Sequence, residues 1–143
     1  MTPPRIVVGM DGSEHATAAL RWALGHAEIL HGSVEVIYAW QFPLLSIPGA
    51  FTRDELETAA KQFLLDAVAA IEPVPAVPLQ TIVAEGDPRS ALIEAARDAA
   101  LLVLGTRGRS PFTGLLLGSV SQACAATALC PVVIVNVRAL PHP

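Results

Sequence analysis

The chain has 143 residues, 52% of them apolar and 15% charged, with a formal net charge of −4. A mean hydropathy of +0.51 and a pI near 5.4 fit one globular domain, residues 1–143, with strands buried on both faces. They argue against a general nucleic-acid surface, which would need a basic face.

Arg5–Met10 (RIVVGM) is a short apolar run rich in β-branched residues, closed by Asp11-Gly12-Ser13, and predicts a first strand. Ser13 suits a helix N-cap with Glu14 in the first turn. Ala16, Ala19, Leu20, Ala23, Leu24 and Ala27 then recur at helical spacing as far as His31-Gly32. Val34–Trp40 is a second strand, followed by a loop from Gln41 to Phe51. Thr52-Arg53-Asp54-Glu55 matches a capping box and opens a helix to about Ile71. The prolines of Glu72–Pro78 exclude a helix interior and predict extended chain. Leu79–Ala84 is a third strand, and in the turn after it Asp87 can cap a helix with Pro88 at its first position. That helix is expected to run to about Ala99, ahead of a fourth strand, Leu101–Leu104. A last helix starts at Ser119 and is stopped by Pro131, before a fifth strand at Val132–Val137. Leu140–Pro143 is expected to fray.

Five strands alternating with four helices predict right-handed crossovers and a mainly parallel sheet of order 3-2-1-4-5, covered on both faces. Ligands of such sheets sit beyond the carboxyl ends of the strands, where the strand order reverses. The first and fourth strands flank that point. Both are followed by polar and glycine residues, Gly9 to Ser13 and Gly105 to Gly108. A helix starting at Ser119 would add unpaired N–H groups and positive potential, and Ser119 and Ser121 would add hydroxyls. Gly105, Gly108 and Gly118 would admit a ligand close to the backbone, while Arg107 and Arg109 could reach phosphate oxygens. Asp11 could accept from ribose hydroxyls or hold a metal through water, or serve only the first helix as a carboxylate near its N-cap.

Neither the P-loop lysine nor GxGxxG is present. No nucleophile, base and orienter assemble as a triad, and His15, His26, His31 and His142 read as solvated. Cys124 and Cys130 stand in apolar context without ligand spacing and read as small buried hydrophobes. No apolar run reaches the ~20 residues that span a bilayer. Met1 is not followed by a charged and then apolar leader, so a cytoplasmic location with no membrane partner is expected. The apolar edge at Val132–Val137 carries no lysine or internal proline, and pairing with its twin in a second subunit would cover it.

Gly105-x2-Gly108-x9-Gly118-Ser119 resembles the G-2x-G-9x-G-[S/T] motif of the ATP-binding branch of the universal stress protein family. The opening IVVGMDGSEHATAALRWAL, the central VAEGDPRSALIEAA and the closing CPVVIV are also similar to that family, so the resemblance covers nearly the whole chain. It implies a Rossmann-like fold of the adenine nucleotide alpha hydrolase type and a homodimer through the last strand. It also implies ATP, with or without Mg2+, at the glycine loop, and a stress-response or signalling role with at most weak ATP hydrolysis. Carried over by position, Gly9, Met10 and Asp11 line the adenosine, with Ala39 against adenine and Leu104 and Gly105 following. Arg107, Gly108, Gly118, Ser119, Val120 and Ser121 surround the ribose and phosphates. Ala39 is smaller than the aliphatic residue usual there. The alternatives are a slow ATPase, a binder of AMP or a cyclic nucleotide, and a structural dimer that binds no nucleotide.

Overall fold

A computed structural model describes residues 2–43, 49–72, 76–107 and 117–137. In chain order the elements are β1 (Arg5–Gly9), α1 (Glu14–Leu30), β2 (Ser33–Trp40), α2 (Arg53–Ala69) and β3 (Leu79–Glu85). They continue with α3 (Pro88–Ala95), β4 (Leu101–Gly105), α4 (Ser119–Thr127) and β5 (Val132–Val135). The strands form one parallel sheet of order β3-β2-β1-β4-β5, the order the alternation predicts. Val8 of the central strand lies beside Val36 on one side and Val103 on the other.

Alternation along the strands divides the core into two layers. Ile6, Val8, Val34, Val36 and Val103 pack with α1 and with Leu64 of α2. Val7, Ile37, Leu102 and Leu104 pack on the other face with Leu92 and Ala96 at α3 and Cys124 of α4. The helix starts form as their sequences dictate. Ser13 Oγ accepts from Ala16 N–H at 3.1 Å. Thr52 Oγ1 accepts from Glu55 N–H at 3.1 Å while Glu55 Oε2 accepts from Thr52 N–H at 3.3 Å. Asp87 Oδ1 accepts from Arg89 N–H at 2.8 Å, with Pro88 in the first turn.

The helix ends differ more from expectation. α1 closes with His31 in the left-handed region at φ 54°, and Gly32 N–H donates to Ala27 C=O at 2.8 Å. Gly32 serves a different need: a Cβ there would fall 2.4 Å from the Pro4 carbonyl oxygen. α3 stops at Ala95 rather than near Ala99. Arg97 N–H and Ala99 N–H bond three residues back, and Ala100 N–H donates to Arg5 C=O at 2.8 Å, drawing the chain into the sheet. α4 ends at Thr127, four residues ahead of Pro131, the spacing at which a proline ring clashes with a helical carbonyl. β5 stops at Val135, short of the expected Val137, because its partner β4 ends at Gly105 directly opposite. Pro73–Pro75 of the expected extended stretch, part of the Gln41–Phe51 loop, and Leu140–Pro143 with His142 lie outside the described residues.

Candidate functional site

The carboxyl ends of β1 and β4 border a cleft of about 300 Å³, at the low end of the ~300–1,000 Å³ usual for small-molecule sites. Gly9, Met10, Asp11, Ala39, Leu104, Gly105, Arg107, Gly118, Ser119, Val120 and Ser121 all line it. Of the residues singled out in the sequence for this site, Gly108 lies outside the described residues, as does Arg109. Ala16, Ile37, Pro88 and Leu92 line it too, and sequence reading missed them. Ile37 carried a signal, since it stands two residues before Ala39 and shares its strand face. Leu92 carried none, because its reach toward the cleft follows from how α3 crosses the sheet.

One end of the cleft is apolar, walled by Met10, Ile37, Ala39, Leu92 and Leu104. The other holds the start of α4. Gly118 is the N-cap there in extended conformation, and no side chain among the described residues caps the helix. Among the described residues its first N–H groups are thus left to an anion, next to Arg107 and the exposed Ser119. Gly118 N–H donates to Thr106 C=O at 2.9 Å, pinning together the two ends of the segment between them.

Three expected groups play other parts. Gly105 has its missing Cβ against α1, not the cleft: an added Cβ would sit 2.6 Å from the His15 carbonyl carbon and Cβ, and 2.7 Å from its oxygen. This glycine lets α1 lie on β4. The Ser121 hydroxyl is buried and donates to Gly105 C=O at 2.7 Å, so its hydrogen ties α4 to β4. Asp11 is half-buried, and its Oδ1 accepts from Ser13 N–H at 2.9 Å, leaving Oδ2 for another donor.

His31 is exposed as expected, but His15 and His26 are not simply solvated. His15 Nδ1 lies 3.3 Å from Thr106 Oγ1, and His26 stacks on Trp22 with ring centroids 4.7 Å apart. Both cysteines are free thiols; Cys124 is fully buried as expected, whereas Cys130 is only half-buried. Burial pushes the Cys124 thiol up to about 11 and raises Cys130 as well, which disfavours the reactive thiolate in both. At the mouth of α3, hydrogen bonds from Arg89 lower the Asp87 carboxyl to about 2. No group of three His, Cys, Asp or Glu among the described residues could hold a metal. No helix there is long and apolar enough to cross a membrane.

Residues 3–136 match the universal stress protein family. A universal stress protein of Mycolicibacterium smegmatis is 32% identical over 134 residues, covering 93% of this chain and 46% of that protein. One from Mycobacterium tuberculosis is 33% identical over 143 residues, covering 97% of this chain and 50% of its own length. This chain thus spans about half the length of the curated relatives it matches. Among solved structures, a universal stress protein in complex with cAMP superposes with a TM-score of 0.71 at 28% identity, covering 94% of this chain and 97% of that one. The chain belongs to the universal stress protein family.

Proposed function

We propose that this member of the universal stress protein family binds an adenine nucleotide, ATP foremost, in the cleft between β1 and β4. Occupancy of the cleft would serve a stress-response or signalling role in the cytoplasm through a homodimer formed along Val132–Val137. The observation that carries this reading is the cleft itself, with an apolar pocket at one end and an uncapped helix N-terminus beside an arginine at the other.

The strand geometry supports adenine as the base. Ile37 C=O accepts from Met10 N–H at 2.8 Å, and Trp40 C=O accepts from Gly86 N–H at 2.8 Å on the opposite side. Residues two apart on a parallel strand turn both backbone groups to the same neighbour. Ala39 therefore turns its N–H and C=O toward β1, past that strand's last residue, Gly9. An adjacent donor and acceptor match N1 and the N6 amino group of adenine, and present the wrong order to guanine. The N–H groups opening α4, the Ser119 hydroxyl and Arg107 suit phosphate. Any Mg2+ would be held mainly by the phosphates, with Asp11 the one carboxylate lining the cleft among the described residues.

A second reading, AMP or a cyclic nucleotide as the resident ligand, is favoured by the solved relative that holds cAMP. Mass spectrometry of whatever ligand is released from the purified protein decides between them, with ATP as the expected result. Calorimetric titration of Gly118→Glu and Asp11→Ala is expected to show loss of nucleotide binding with the fold retained. Unchanged affinity in both variants would refute the site. Slow ATP hydrolysis, if seen, should vanish in Asp11→Ala. A structural dimer lacking any nucleotide would show neither ligand nor binding. Sedimentation tests the dimer, which Val132→Lys should dissociate.

A further inference from the structure

We infer that the contact between His15 and Thr106 is a positioning device for the phosphate end of the cleft. This rests on the nucleotide-binding reading above. Neither residue lines the cleft, so both would act through others. Thr106 sends each of its polar groups to a different element. Its N–H donates to Val135 C=O of β5 at 3.2 Å, its C=O accepts from Gly118 N–H at 2.9 Å, and its Oγ1 lies 3.3 Å from His15 Nδ1 on α1. Gly118 caps α4, and Arg107 follows Thr106 directly, so the residues on either side of this junction both line the cleft.

The backbone bonds to Val135 and Gly118 fix Thr106 within the plane of the sheet. Neither bond runs to α1. The His15 contact supplies the missing restraint, and the close seating of α1 on Gly105 keeps His15 in reach. Either imidazole tautomer can make this bond, since a hydroxyl both donates and accepts. Of the residues walling the base end of the cleft, Ile37 and Ala39 lie on β2, Leu92 on α3 and Met10 between β1 and α1, while Leu104 is held within the β4–β5 ladder. Loss of the restraint should therefore weaken binding of the phosphates and spare the base.

The test measures ATP and adenosine affinity by calorimetry for wild type, Thr106→Val, Thr106→Ser, His15→Ala and the Val/Ala double variant. Thr106→Val and His15→Ala should each weaken ATP about 2- to 10-fold, the range of one ordinary hydrogen bond, and change adenosine by less than about 2-fold. Thr106→Ser should bind ATP like wild type, and the double variant no worse than the weaker single, because one contact is removed once. In the ligand-free protein, amide exchange at Gly118 should quicken in both single variants. ATP and adenosine affinities that fall together, additive single effects, or unchanged exchange and affinity would overturn the positioning role while leaving the binding site intact. Wild-type protein that binds neither ligand would overturn the nucleotide reading, and this inference with it.

Discussion

Replacing Gly105 by alanine separates two reasons for a glycine at the end of β4. If it exists to admit a ligand, Gly105→Ala should keep its stability and lose affinity. The geometry indicates the reverse. The new Cβ would lie 2.6 to 2.7 Å from three atoms of His15, at least 0.7 Å inside the 3.4 Å at which ordinary contact begins. Two of those atoms are backbone in the first turn of α1, so no side-chain rotation relieves the overlap. That turn is held by the Ser13 cap and by the buried Ala16. Helix and strand must then separate, and overpacking of this kind costs about 2–3 kcal/mol. For a domain of this length the loss corresponds to a fall in Tm of about 6–12 °C. Urea and thermal unfolding followed by circular dichroism, with ATP titration alongside, would measure both quantities. A variant of wild-type stability would refute the packing account, and would do so most plainly if it had lost ATP binding.

Gly25 offers the opposite case: it lies inside α1 and nothing stands within 4 Å of an added Cβ, so Gly25→Ala should stabilise the protein by about 0.5–1 kcal/mol in the same assay. The Asp87 carboxyl, lowered from 3.8 to about 2 chiefly by the Arg89 side chain, stabilises the fold only while it is ionised there. Its contribution is therefore complete above about pH 4 and lost as pH falls toward 2. Unfolding curves of wild type and Asp87→Ala should converge across that window, and a constant gap would contradict the assignment. Cys124, buried and with its thiol pushed up to about 11, should resist a thiol-specific reagent at neutral pH until the protein unfolds. Rapid modification in native buffer would show that the site opens. Ser121→Ala should lose about 1–3 kcal/mol, because the Gly105 carbonyl is left buried without its donor.

The sheet order was legible because it depends on alternation and on short-range signals. Ser13, Thr52 with Glu55, and Asp87 with Pro88 each satisfy backbone groups within three residues, so their neighbours in sequence define them. Helix ends depended on partners far along the chain. The alanine-rich run after Leu92 could continue as helix, but it tightens at Arg97 and Ala99, and the bond from Ala100 to the distant Arg5 carbonyl draws it into the sheet. β5 shortens because β4 ends opposite it, a fact no periodicity within VVIVNV contains. Many positions lining the cleft were legible, though Ala16, Ile37, Pro88 and Leu92 were not, and the reasons for those positions were not legible either. A glycine in sequence does not say which neighbour needs the space. At Gly105 the neighbour is α1. The His15 contact escaped notice because it joins residues 91 apart in sequence.

The central place of β1 also sets a schedule for synthesis. β1 is the first strand in the chain, and β2 reaches it after a single helix. Its other neighbour, β4, pairs Val103 with Val8. At about 5–20 residues per second, a ribosome needs roughly 5–20 s to make the chain between them. Throughout that interval Ile6, Val7 and Val8, fully buried in the finished sheet, have one open side. A nascent β1-α1-β2 unit thus carries an open apolar edge along β1 until β4 has been made.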